Sequence, residues 1–120
     1  MFPDLIRQTG NDRLTTSDGT TAIWRHRTTQ NVAYNVAGGA STQSNAFGSQ
    51  TYAIRVSIAG FADSTNNGAR ISVGDNPTAS ATTAALPLNW VEYIRVTPGQ
   101  KVAVLGNSAA TGSLNVVELG

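Results

Sequence analysis

The chain contains a single histidine, His26, set in Trp24-Arg25-His26-Arg27, and no cysteine. One imidazole makes neither a metal-binding pair nor a proton relay. Without thiols there is no disulfide scaffold, no Cys-based zinc site and no sulfur nucleophile. His26 is therefore read as a structural or surface residue. The later carboxylates, Asp63, Asp75, Glu92 and Glu118, stand far apart in the sequence. Two of them brought together would make a general acid and base. The plainer reading leaves them solvated or paired with Arg55, Arg70, Arg95 or Lys101. Gly106-Asn107-Ser108-Ala109-Ala110-Thr111-Gly112-Ser113 has the glycines of a phosphate loop but lacks its Gly-Lys-Ser/Thr ending, and is read as a hairpin loop between strands. Asp63-Ser64-Thr65-Asn66-Asn67-Gly68 offers one carboxylate where a calcium loop uses several, so an Asn-Gly turn explains it better. These residues predict no enzyme, no cofactor and no metal site.

Binding chemistry has more material. Trp90 and Tyr93 flank a strand-like run and are read as interior aromatics, with a stacking platform for a sugar or base as the alternative. Trp24 with Arg25 and Arg27 has the make-up of an interface hot spot, because Trp and Arg carry a disproportionate share of binding energy. A solvated basic turn is the bland reading of the same residues.

The elements that must position these side chains follow from periodicity. Residues 1–30 show no sustained period of 2 or 3.6, yet they space out Phe2, Leu5, Ile6, Leu14, Ile23 and Trp24. Apolar anchors without a period predict an extended N-terminal arm laid on another surface. From residue 31 the period becomes 2. Val32, Tyr34 and Val36 alternate with small or polar residues, and so do Tyr52, Ile54, Val56 and Ile58, then Ala69, Ile71 and Val73. Residues 90–97 have high strand propensity, Pro98-Gly99 makes a tight turn into 101–105, and 114–119 forms a last strand. Weaker strands are expected near 43–48 and 79–86. Many short strands with no helix-length segment between them predict an all-β fold, an antiparallel β-sandwich or barrel over 31–120.

Composition agrees. Of 120 residues only 12% are charged, about half the share of an average soluble domain. Ser, Thr, Asn and Gln make up 40 residues, and the net charge is +1. Near-neutrality argues against a general nucleic-acid binder, which needs clustered cations for phosphates. No apolar run is long enough to span a membrane, and Met1-Phe2-Pro3-Asp4-Leu5 does not read as a signal peptide. A core of few aromatics and 16 alanines is thin, so self-association is expected on stability grounds.

Two stretches go further. One is Ala46-Phe47-Gly48-Ser49-Gln50-Thr51-Tyr52-Ala53-Ile54-Arg55-Val56. The other runs from Ile71-Ser72-Val73-Gly74-Asp75-Asn76-Pro77 through Leu86-Pro87 and Glu92-Tyr93-Ile94-Arg95-Val96-Thr97-Pro98-Gly99-Gln100-Lys101 to Leu114-Asn115-Val116-Val117-Glu118-Leu119. Together they resemble small virion-associated proteins of tailed bacteriophages, the capsid decoration or cement proteins, over residues 46–119. The resemblance implies a jelly-roll-like β-sandwich, made in the host cytoplasm and seated on the capsid surface of the virion. It implies a homotrimer with the major capsid protein as partner, and it brings no catalytic residues.

The expectation is thus a structural virion protein that stabilises an icosahedral head from outside. Phe2, Leu5, Ile6, Leu14, Ile23 and Trp24 would anchor in grooves between capsid subunits, and Arg25 and Arg27 would meet acidic groups there. The alternatives are a carbohydrate-binding or receptor-binding β-module, and a tail or neck component.

Overall fold

Ile54 and Val56 are fully buried, whereas the residues between and beside them in sequence, Ala53, Arg55 and Ser57, point the other way. That alternation organises a computed structural model that describes residues 24–34, 40–60, 68–107 and 111–120. Eight strands follow in order: β1 (His26–Tyr34), β2 (Thr42–Gln43), β3 (Ala53–Gly60), β4 (Ala69–Gly74), β5 (Ala84–Leu86), β6 (Val91–Arg95), β7 (Lys101–Gly106) and β8 (Gly112–Leu119). They form two four-stranded antiparallel sheets, ordered β1-β8-β3-β6 and β2-β7-β4-β5. The chain changes sheet at every connection except β4 to β5. Eight strands so interleaved in two facing sheets make a jelly roll.

The core lies between the sheets. Val32, Tyr34, Ile54, Val56, Leu114 and Val116 from the first sheet meet Ile71, Leu86, Val102 and Val104 from the second, with Phe47 and Val96 closing the ends. A smaller cluster of Ala53, Val117 and Leu119 is also buried. Val117 and Leu119 alternate with the inward Val116 and Glu118, so β8 is buried on both faces at its C-terminal end.

Local chemistry sets where strands stop. Gln100 N–H donates to Thr97 O at 3.1 Å and Gly99 has φ of +89°, so Pro98-Gly99 forms a type II turn. The run after β2 keeps close to β7 but leaves the regular ladder at Ser44, whose buried hydroxyl accepts the Val102 N–H at 3.0 Å. The strand expected near 43–48 therefore shrinks to Thr42–Gln43. Likewise Ser80 and Thr83 close a turn on each other, Thr83 N–H to Ser80 O at 3.2 Å and Ser80 N–H to Thr83 Oγ1 at 3.1 Å, so only 84–86 of the expected 79–86 is strand.

Three expectations change. β1 begins at His26, so residues 26–30 belong to the sheet; Thr28, Thr29 and Gln30 carry no apolar alternation because β1 is an edge strand with much of its surface in solvent. The connection from Gly106 to Gly112 is not a hairpin loop, since β7 and β8 lie in different sheets. Trp90 and Tyr93 are not interior: they are 57% and 65% exposed. With Ile94 and Val96 packed on the core, a period of 2 must turn Tyr93 outward. Residues 1–23, which include Phe2, Leu5, Ile6, Leu14 and Ile23, lie outside the described residues, as does most of the turn at 63–68.

Candidate functional site: an arginine and aromatic sheet edge

All five exposed large hydrophobic residues in the described structure, Trp24, Tyr52, Trp90, Val91 and Tyr93, gather on or beside β6. β6 is one of the two edges of its sheet, β1 being the other. Its register places Arg55 opposite Tyr93 and Ala53 opposite Arg95, while Ile54 and Ile94 pair with each other towards the core. Arg55, Tyr93 and Arg95 therefore share the outer face, with Arg55 and Tyr93 as direct cross-strand neighbours. The next row carries Ser57 opposite Val91.

The end of this edge is built by backbone pairing beyond the strands. Tyr52 N–H donates to Leu119 O at 3.2 Å and Tyr52 O accepts the Val96 N–H at 3.0 Å, which wedges Tyr52 between β8 and the segment after β6. Arg25 and Gly120 exchange both backbone hydrogen bonds, at 3.2 and 3.0 Å, which carries the β1–β8 ladder one step further and fixes Trp24 beside it. Trp24, Tyr52, Arg95, Val96 and Thr97 then line an open groove of about 540 Å³. Arg27 runs close by, its Cδ 2.9 Å from where a Cβ on Gly120 would stand.

Charge along this sheet is one-sided. Among the described residues Arg25, Arg27 and Arg95 are exposed and Arg55 is half-buried, and none of the four is held by a carboxylate. Glu118 is 2% exposed and turned inward, where Oε1 accepts Thr51 Oγ1–H at 2.7 Å and Gly48 N–H at 2.9 Å. Glu92 lies at the mouth between the sheets, lining with Ile71, Val73, Ala84 and Ile94 a second opening of about 270 Å³. Asp75 is exposed on the β4–β5 connection. The fourth sheet-borne arginine, Arg70, is tied on the other sheet to Asn107 Oδ1 and Thr83 O at 3.3 and 3.1 Å. The expected pairing of acids with Arg55, Arg70 or Arg95 is thus absent among the described residues, because acids and arginines lie on different faces.

Of the residues singled out in the sequence, Trp24 lines the groove at the end of β6, whereas Arg25 and Arg27 lie along the β1 side, at the opposite edge of the sheet. His26 is exposed in β1, opposite Leu119. Tyr52, Arg55 and Arg95 were not singled out for binding. Arg55 and Arg95 each occupy the polar phase of an apolar alternation, which was the available signal. Among the described residues no three His, Asp or Glu side chains come together in a way that would hold a metal ion. No helix is long and apolar enough to cross a membrane. Comparison with known protein families, with curated proteins and with solved structures finds no match for this chain.

Proposed function

We propose that this chain is a structural protein of a bacteriophage virion that binds the outer surface of an icosahedral head, contacts the major capsid protein and stabilises the shell as a homotrimer. The observation that carries the reading is a jelly-roll scaffold whose exposed large apolar residues gather on and around β6, where Arg55 and Arg95 have no carboxylate partner among the described residues. Trp, Tyr and Arg on an edge are what a docking surface needs, since they bury large area and form charge-assisted contacts. The sequence resemblance over 46–119 supports the same reading. So does the low surface charge, which limits the cost of desolvating ions over a repeated contact. Jelly rolls occur in viral capsid proteins and in lectin domains, so the fold supports the class and not the partner.

The groove between Trp24 and Tyr52 favours one second reading, a carbohydrate-binding module, because aromatic faces stack on sugar rings. Mass spectrometry of virions from the genome that encodes the chain separates these readings. The proposal expects the chain in purified heads at a copy number comparable to that of the shell subunits. Its absence from virions, together with saccharide-dependent quenching of tryptophan fluorescence, would replace the first reading by the second.

A further inference from the structure

The outer face shared by β3 and β6 carries the side chains that a single partner chemistry would use. We propose that Trp24, Tyr52, Arg55, Tyr93 and Arg95 form a docking surface for an acidic protein surface, which on the reading above is the outside of the capsid shell. Three features argue for it.

The first is concentration. Val91 and Tyr93 stand on the outer face of β6, and Trp24 and Tyr52 line with Arg95 the groove at its end, so apolar exposure gathers along this strand as it does at interaction sites. The second is charge. Arg55 faces Tyr93 across the β3–β6 pair, Arg95 follows Tyr93 by two residues on β6, and neither arginine has an acidic neighbour on this face among the described residues. A second copy meeting this edge across a twofold axis would set arginine against arginine, so a partner bearing carboxylates fits and a copy of the same face does not. The third is length. From Trp90 to Thr97 an extended chain covers about 23 Å, at roughly 3.3 Å per residue, which is longer than one sugar ring and suits a protein surface.

The test uses heads assembled from the major capsid protein encoded in the same genome, mixed with the full chain and sedimented. The wild-type chain is expected to bind, more weakly as salt rises. Arg55→Glu with Arg95→Glu is expected to weaken binding at least tenfold, and Tyr93→Ala to weaken it as well. Lys101→Glu, a charge change of the same sign on the opposite sheet, is expected to leave it unchanged. Arg55→Gln with Arg95→Gln serves if the double Glu variant does not reach the native fold, judged by its melting transition. Equal binding by the wild type and the arginine variants overturns this surface and leaves the head reading intact. No binding by the wild type overturns both. Quenching of tryptophan fluorescence by oligogalacturonate, lost with Arg95→Gln, would make the groove a saccharide site and overturn the protein partner.

Discussion

Glu118 Oε1 accepts two hydrogen bonds from the 48–51 turn, and at 2% exposure it has no water to replace either donor. Such a carboxyl is a bracket that ties the approach to β3 onto β8; it is not poised for chemistry. Glu118→Ala strands the Thr51 hydroxyl and the Gly48 N–H, which should cost about 2–4 kcal/mol and lower the melting temperature by roughly 10 °C. Glu118→Gln keeps the acceptor and should cost less. A calorimetric scan in which the two variants melt together with the wild type would refute the bracket. Gly99 poses a different single-residue demand. Its φ of +89° favours glycine, yet a Cβ there would meet nothing within 4 Å. Gly99→Ala should therefore cost only the backbone strain, about 1–2 kcal/mol. Urea denaturation reads this directly, and a larger loss would mean the turn holds more than its own conformation. Both positions separate what is legible from what is not. Pro98-Gly99 announces its turn in two letters, whereas Glu118 reads as an ordinary polar phase of the last strand. Only the tertiary approach of the 48–51 turn makes it a buried acceptor.

The strands divide along the same line. β3, β4, β7 and β8 were legible because one or both of their faces are buried and apolar side chains recur in step. The start of β1 was not, because an edge strand satisfies its partner through backbone hydrogen bonds that any sequence can make. That pairing carries a prediction. A chain beginning at Asn31 loses the His26–Leu119, Thr29–Val117 and Gln30–Val116 pairs and the Arg25–Gly120 exchange, uncovering the doubly buried end of β8. It also loses Gln30, whose side chain accepts the Asn45 N–H at 2.9 Å and ties the edge of one sheet to the segment after β2. Relative to a chain beginning at Trp24 it should be less stable by at least about 3 kcal/mol, at roughly 1 kcal/mol for each of the two Arg25–Gly120 bonds and the Gln30–Asn45 bond, before the lost ladder pairs are counted. Equal urea midpoints for the two chains would show that β1 contributes nothing before Asn31. β6 is legible as a strand from its composition, but that composition does not announce which side chains face outward. Trp90 and Tyr93 have the composition of a core; Tyr93 is out of phase with Ile94 and Val96 and so faces outward, whereas Trp90 shares their phase and is exposed just ahead of the strand. The arginine edge was therefore visible residue by residue and invisible as a surface, since Trp24, Tyr52 and Arg95 meet only through β1–β8, β8–β3 and β3–β6 pairing.

At the scale of the molecule, strand order governs how the chain reaches this state. Only β4 and β5 are neighbours both in sequence and in a sheet. The pairing of His26 with Leu119 and of Tyr34 with Gly112 joins the two ends of the described chain, and β3–β8 is nearly as distant. Loops of that length must close before their contacts return any stabilisation, so such a fold is slow. Refolding in stopped-flow experiments should extrapolate to time constants between about a millisecond and several seconds, as in other sheet-dominated domains. The order of events also follows. The β4–β5 hairpin closes the shortest loop and packs Ile71 and Leu86, whereas β1 cannot dock until β8 is in place. Ile71→Val, a loss of about 1 kcal/mol, should appear mainly as slower folding. Val32→Ala on β1 should instead leave the folding rate nearly unchanged and accelerate unfolding. If Val32→Ala slowed folding as much as it destabilised the protein, the closure of the chain ends would be part of the nucleus. The first sheet, with its arginine edge, would then form before the second.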